Sequence, residues 1–193
     1  MREIGYIERL QVQLDSLKKG DKPNRYYDPT ALRVVRALRL TIKGVIGITE
    51  GQELLDVHHA DHPYSKNRQT NAISFNLSPH YAQMQNHFGP HLEMGCAGEN
   101  ILIATDESFE LDALSCGLII KSQDGVQGRL TQVSVAHPCL SFSKYALKSG
   151  GASSDEIIKE TLQFLDGGTR GFYCAWEGDA LVVRPGDRVF IAA

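Results

Sequence analysis

The chain has 193 residues, 42% of them hydrophobic and 22% charged, the balance of an ordinary globular protein long enough to bury a core. Its net charge of −3 excludes the basic surplus of a general nucleic-acid binder, while leaving room for a local basic pocket. No apolar run approaches the ~18 residues of a spanning helix, and the charged, alternating start from Met1 to Ser16 lacks the apolar core and cleavage site of a signal peptide. A cytoplasmic protein with neither a membrane nor a nucleic-acid partner is therefore expected.

Ile4 to Leu14 alternates, with Ile4, Tyr6, Val12 and Leu14 partly on one face, and predicts a strand. Lys18 to Asn24 is a turn-rich loop. Val34, Leu38, Leu40 and Ile42 fall at period two and predict a strand over Val34–Ile42, although Asp28-Pro29 offers a helix start instead, as cap and first-turn proline. Ser78-Pro79 predicts a helix that runs to Phe88 and stops at Gly89-Pro90. Ile101 to Ile103, Leu118 to Ile120 and Leu130 to Val135 read as strands. Ser153 and Glu156 fit a capping box. The helix that follows places Ile157, Ile158, Thr161, Leu162 and Leu165 on one face and ends at Gly167-Gly168. Phe172 to Trp176, Leu181 to Val183 and Arg188 to Ile191 are short strands, with a turn at Pro185-Gly186-Asp187. Many short strands and two isolated helices predict a mainly β chain, a barrel with a few helical insertions in a single domain over residues 1–193.

The chain has four cysteines, Cys96, Cys116, Cys139 and Cys174, none in a CxxC pair. A reducing compartment keeps such thiols free, and most free cysteines are small core residues. Cys174 alternates with Phe172 and Trp176 and reads as barrel packing; Cys116 precedes the strand at Leu118 and reads as core. Cys96 lies in the glycine-flanked turn Gly95-Cys96-Ala97-Gly98. Cys139 follows Pro138 just past the end of a strand, a place for a barrel rim. His137 and Lys144 are close enough in sequence to lower its thiol pKa if they converge on it. Arg170, in Thr169-Arg170-Gly171, has the fork geometry to grip a phosphate or carboxylate, and Arg68 is a second candidate for an anionic ligand. Glu99 and Asn100 sit where a glycine loop enters a strand; Asn100 either orients a ligand near the cysteine or satisfies backbone groups of the turn.

The stretch Asp56-Val57-His58-His59-Ala60-Asp61-His62 holds three of the four positions of the His-x-His-x-Asp-His pattern of metallo-β-lactamase-like hydrolases, with Val57 in place of the first histidine. His59, Asp61 and His62 are thus an alternative zinc set, within the wider His58–His62 cluster, although Pro63 favours a loop and catalytic zinc needs about three protein ligands.

Four ordered segments resemble the MOSC domain, named for the C-terminal region of molybdenum-cofactor sulfurases. They are Gly44-Val45-Ile46-Gly47 through Asp56-Val57-His58-His59; Gly95-Cys96-Ala97-Gly98-Glu99-Asn100-Ile101; Val133 to Cys139 with its Pro-Cys step; and Gly168 to Tyr173 followed by Arg184 to Val189. The resemblance implies a β-barrel and a cysteine, Cys139, that holds sulfur as a persulfide or ligates molybdenum in a pterin cofactor. Arg170, Asn100, Glu99, Arg68 and Lys144 are the candidate cofactor-binding residues, and His137 is a candidate catalytic residue beside Cys139. Family members include reductases of N-hydroxylated compounds and domains fused to pyridoxal-phosphate cysteine desulfurases. This chain has no room for a desulfurase domain, so no bound pyridoxal phosphate is expected, and sulfur would come from a donor such as a separate cysteine desulfurase. No flavin, haem or iron–sulfur motif is visible, so a reductase would need an outside redox partner. Three functions compete: a sulfur carrier or molybdenum-cofactor protein using Cys139, a zinc hydrolase using the histidine cluster, and a non-catalytic binding module on the same barrel.

Overall fold

In the computed structural model, which describes residues 1–148 and 153–192, period-two alternation is expressed as strand almost throughout. Strand β1 (Arg2–Gln13) buries Ile4, Ile7, Leu10 and Val12. Strands β2 (Lys18–Lys19) and β3 (Tyr26–Tyr27) form a short hairpin. Asp28 does cap a helix start, accepting from the Thr30 N–H, but the helix is a single 3-10 turn at Pro29–Ala31.

The strand expected over Val34–Ile42 is in fact two, β4 (Leu32–Val34) and β5 (Ala37–Thr41). The chain changes sheets between them: the Val35 N–H donates to Leu10 in the barrel sheet, and the Arg36 N–H donates to Ile48 in the neighbouring one. Strands β6 (Gly44–Ile48), β7 (Glu53–Leu55) and β8 (Ile73–Leu77) lead into helix α1 (Ser78–Phe88). Ser78 is not its cap. It lies in the first turn, where its hydroxyl donates to the Thr105 carbonyl and accepts from the Thr105 N–H.

Strand β9 (Ile101–Ala104), helix α2 (Leu111–Leu114) and strands β10 (Leu118–Lys121) and β11 (Gln127–Val135) follow, then helices α3 (Leu140–Ala146) and α4 (Asp155–Leu165). Helix α4 is capped by Ser154, whose hydroxyl accepts from Ile157, rather than by Ser153. Strands β12 (Phe172–Glu177), β13 (Leu181–Val183) and β14 (Arg188–Ile191) complete the fold.

Seven strands close into a barrel in the order β14-β10-β11-β12-β8-β9-β1, with β1 returning to pair with β14. Every pairing in it is antiparallel except β8 with β9, which run parallel. Parallel neighbours need a long crossover, and α1 with the loop after it provides one. A second sheet, β13-β5-β6-β7, lies against the barrel. The approach is close at Gly47, where a Cβ would stand 2.9 Å from Val12 Cγ1. The barrel interior is filled by aliphatic side chains and the stacked rings of Phe75 and Phe172, 5.2 Å apart. A second apolar cluster, with Tyr27, Tyr81, Met84 and Phe142 at its centre, lies beneath α1 and α3. Cys174 is in the barrel core as expected, but Cys116 is exposed. It ends the turn after α2, and burial resumes only at Gly117, whose φ of +87° turns the chain inward.

Candidate functional site

Two segments meet at one end of the barrel. The first is the exit of β11. Its register breaks between Thr131 and Ser134, with Gln132 at a φ of 53°, so β11 is kinked and Val135 still pairs with Phe172. The Ala136 N–H then donates to Gly171, and the chain passes through His137 and Pro138 to Cys139, the residue preceding α3. Cys139 is half-buried.

The second segment is the loop Gly95–Asn100. Gly95 and Gly98 both lie at φ +91°, a conformation that glycine adopts without strain. A Cβ on Gly98 would also press to 2.7 Å from Leu17. The loop is pinned from below. The Gln11 side chain donates to the Gly95 and Glu99 carbonyls at 2.7 and 2.8 Å, and the Tyr27 hydroxyl donates to Cys96 O at 2.7 Å. The Tyr81 hydroxyl accepts from Ala97 N and donates to Glu99 Oε2 at 3.0 Å.

Arg170 joins the two segments. Its guanidinium donates to Ala97 O at 3.0 Å and to Ala136 O at 3.5 Å, and stacks 5.1 Å over the Phe142 ring. Its Nε is buried without a partner, as is Glu99 Oε1. Both residues line a cavity of about 30 Å³ together with Gln13, His58, Ala136 and Tyr173, space for about one water. Burial opposes the Arg170 charge, but Tyr173, Tyr27 and Cys139 around it favour that charge and carry its pKa above the usual value. Burial raises the Glu99 carboxyl, with Tyr81 and Arg170 partly offsetting it. Burial also pushes the Cys96 thiol up to about 12, which leaves it a poor nucleophile.

Behind the cavity stands Asp56, which is completely buried. One of its oxygens accepts from Gln13 N at 2.7 Å and Asn100 Nδ2 at 2.8 Å; the other accepts from His58 N at 2.8 Å and faces His58 Nδ1 at 3.1 Å. That contact holds the ring of His58, which lines the cavity, against the Asp56 carboxylate.

Of the residues singled out in the sequence, the structure brings Arg170, Glu99 and His58 to one cavity, which Cys139 does not line. Asn100 takes the structural role. Its carbonyl accepts from Ser74 N and Oγ, and its amide donates to Asp56 and Gln11. The expected convergence of His137 and Lys144 on the thiol does not occur. His137 is exposed and its Nδ1 pairs with Asp166 at 2.8 Å. Lys144 lines a different pocket; five residues of helix beyond Cys139, at 100° per residue, turn it to roughly the opposite side. Arg170 instead bonds the strand exit that leads to Cys139, through Ala136 O. Arg68 is exposed in the loop after the histidines, its N–H bonded to Asn71.

The zinc set does not assemble either. His59 is buried, which lowers its pKa, and its Nδ1 accepts from Asp61 N; the Asp61 carboxylate pairs with Lys43 at 2.9 Å; His62 Nδ1 accepts from Tyr64 N. Each side chain serves its own turn, and among the described residues no group of three His, Cys, Asp or Glu converges on one point.

Asp56, Tyr27, Tyr81, Gln11 and Gln13 were not singled out as site residues. The signal at Gln11 and Gln13 was misleading. They alternate with Leu10 and Val12 and so read as solvent-facing, whereas the Gly95–Asn100 loop and Asp56 cover that face and bury both.

No protein-family model matches this sequence, and no curated protein does. Solved structures do match. The YUAD protein from Bacillus subtilis superposes with a TM-score of 0.60 at 13% identity, over 98% of this chain and 96% of that one. A hypothetical protein superposes with a TM-score of 0.54 at 12% identity, over 99% of this chain and 68% of that one. The likeness is one of fold. At such identities it says nothing about chemistry, which rests on the site itself.

Proposed function

We propose that the protein is a sulfur carrier of the MOSC type, in which Cys139 holds sulfur as a persulfide. One observation supports this most: the buried Arg170 guanidinium donates to Ala97 O and Ala136 O, and so ties the Cys96–Glu99 loop to the strand exit that leads to the half-buried Cys139. The thiolate of Cys139 would be the nucleophile in sulfur transfer.

In the reaction, the Cys139 thiolate attacks the outer sulfur of a persulfide on a donor protein, of the kind a cysteine desulfurase carries. The S–S bond to the donor breaks, the donor leaves as a thiolate, and a new S–S bond forms on Cys139. The transferred sulfur keeps its oxidation state, so no outside oxidant or reductant is consumed. Arg170 offsets the negative charge of the resulting persulfide anion.

The residues beside Cys139 do not fit a molybdenum pterin. The positions that would grip its anionic part are dispersed: Asn100 is engaged with Ser74 and Asp56, Lys144 faces another pocket and Arg68 is in an exposed loop.

Mass spectrometry after incubation with a persulfide donor tests the reading. Cys139 should gain one sulfur that a reductant removes, and the Cys139→Ser variant should gain none at that peptide. Cys116, the other accessible thiol, is the internal control: it should alkylate readily yet retain little sulfur, while buried Cys96 and Cys174 react slowly with either reagent. Equal sulfur on Cys116 and Cys139, or none on Cys139, would overturn the proposal.

A further inference from the structure

A second and much larger pocket lies between the β2–β3 hairpin and α3, with a volume of about 760 Å³, well inside the range of about 300–1,000 Å³ for small-molecule sites. Two kinds of side chain dominate its lining. Tyr26, Tyr27 and Tyr145 supply aromatic surface, and Arg25, Lys144 and Lys148 supply positive charge. No carboxylate lines it among the described residues, although the chain as a whole is net negative.

The geometry is organised. Tyr27 is buried; its ring lies 5.2 Å from that of Tyr145 and 5.0 Å edge-on from Phe142, and its hydroxyl is held by Cys96 O. Those packed rings form a rigid apolar floor. Tyr26, the next residue of the hairpin, points the other way and is 57% exposed, free to close over a ligand. Lys144 lies on α3 and Lys148 just past its end, at a φ of 50°, and both line the pocket. Arg25 comes from the hairpin side. Among the described residues none of these three cations is in an ion pair, and Arg25 Nε donates to Gly20 O at 3.4 Å.

Unpaired cations around an aromatic floor are poorly matched to a neutral or purely apolar ligand. Stacking on tyrosine suits any flat heteroaromatic ring, and Arg with Lys suits phosphate. We infer that this pocket binds a small phosphorylated ligand with a planar heteroaromatic ring, of the nucleoside monophosphate class. The tyrosine wall takes the ring, and Lys144, Lys148 and Arg25 take the phosphate. The pocket is separate from Cys139, and the inference stands whether or not that cysteine carries sulfur.

Calorimetric titration of the full chain with AMP, GMP, adenosine and inorganic phosphate tests it. At least one nucleotide should bind, and its nucleoside and phosphate alone should each bind about tenfold more weakly or less. The Lys144→Ala/Lys148→Ala double variant should weaken the nucleotide about tenfold and leave adenosine unchanged, and added salt should act in the same direction. Tyr26→Ala should weaken nucleotide and nucleoside alike. These are surface positions, so circular dichroism should be unaltered, and Cys139→Ser should leave the affinity unchanged. Failure of both nucleotides to bind, phosphate binding as tightly as the nucleotide, or variants without effect would overturn the inference.

Discussion

Replacing Asp56 with Ala should destabilise the protein by about 3–5 kcal/mol, read as a lower denaturation midpoint in urea. The side chain is fully buried and receives hydrogen bonds from two backbone N–H groups, Gln13 and His58, and from Asn100 Nδ2, with His58 Nδ1 beside it. Deleting it strands those donors without water, and each unpaired buried group costs about 1–3 kcal/mol. Against a typical total of about 5–15 kcal/mol, the variant is marginal. Asp56→Asn keeps the shape but turns one acceptor into a donor aimed at other donors, so it should recover only part of the loss. A midpoint within about 1 kcal/mol of the parent for Asp56→Ala would mean that the network re-forms around another acceptor. Because Asn100 also holds Ser74 and Gln11, the damage should spread to β1 and β8 and to the loop that carries Glu99.

The second large effect is one of pH. His80 lies in α1, buried against Phe172, with its Nδ1 3.0 Å from Asn76 Oδ1. Burial lowers its pKa from 6.5 to about 4, with the Gly168 carbonyl offsetting part of that. In the unfolded chain the ring titrates at its ordinary value, so as pH falls the unfolded state takes up the proton first. The stability that neutral His80 contributes is complete above about pH 6.5 and is lost progressively down to about pH 4, a total of about 3 kcal/mol. Carboxylates titrate in the same window, so the test is a difference. The stability gap between the parent and His80→Gln should shrink or reverse by that amount between about pH 7.5 and about pH 4. A gap that does not change with pH would show that the His80 proton is not linked to folding.

The barrel was legible because its strands alternate. Leu118 to Ile120 and Phe172 to Trp176 put apolar groups on one side at period two, and the structure buries that side; in β1 register shifts after Glu3 and Ile7 break the expected face, burying Ile7 and leaving Tyr6 exposed. Helix α1 was legible from Ser78-Pro79 at its start and Gly89-Pro90 at its end. The switch between sheets at Val35-Arg36 was not. Both halves carry the same alternation, and only partners distant in sequence, Leu10 and Ile48, decide which sheet each joins. The site divides in the same way. Arg170, Glu99 and Cys139 stood out through local context, between glycines or after a proline. Asp56 did not, because an acid after a short strand reads as a solvated turn until Gln13 and Asn100 are known to sit over it. His137 was misassigned for a related reason: nearness in sequence to Cys139 says nothing of Asp166, which holds its ring instead.

The seam between β1 and β14 has a consequence for how the chain reaches its native state. Glu3 and Arg188, which form an ion pair across the seam, are 185 residues apart. Loop-closure entropy grows only with the logarithm of length, so the thermodynamic cost of so long a closure is modest, about 0.6 kcal/mol for each doubling. Its kinetic cost is larger, because distant pairings form late. Until they do, β1 and β14 both present unpaired backbone edges, the usual template for association between chains. Slow refolding and loss to aggregates at high protein concentration are thus built into the way this barrel closes.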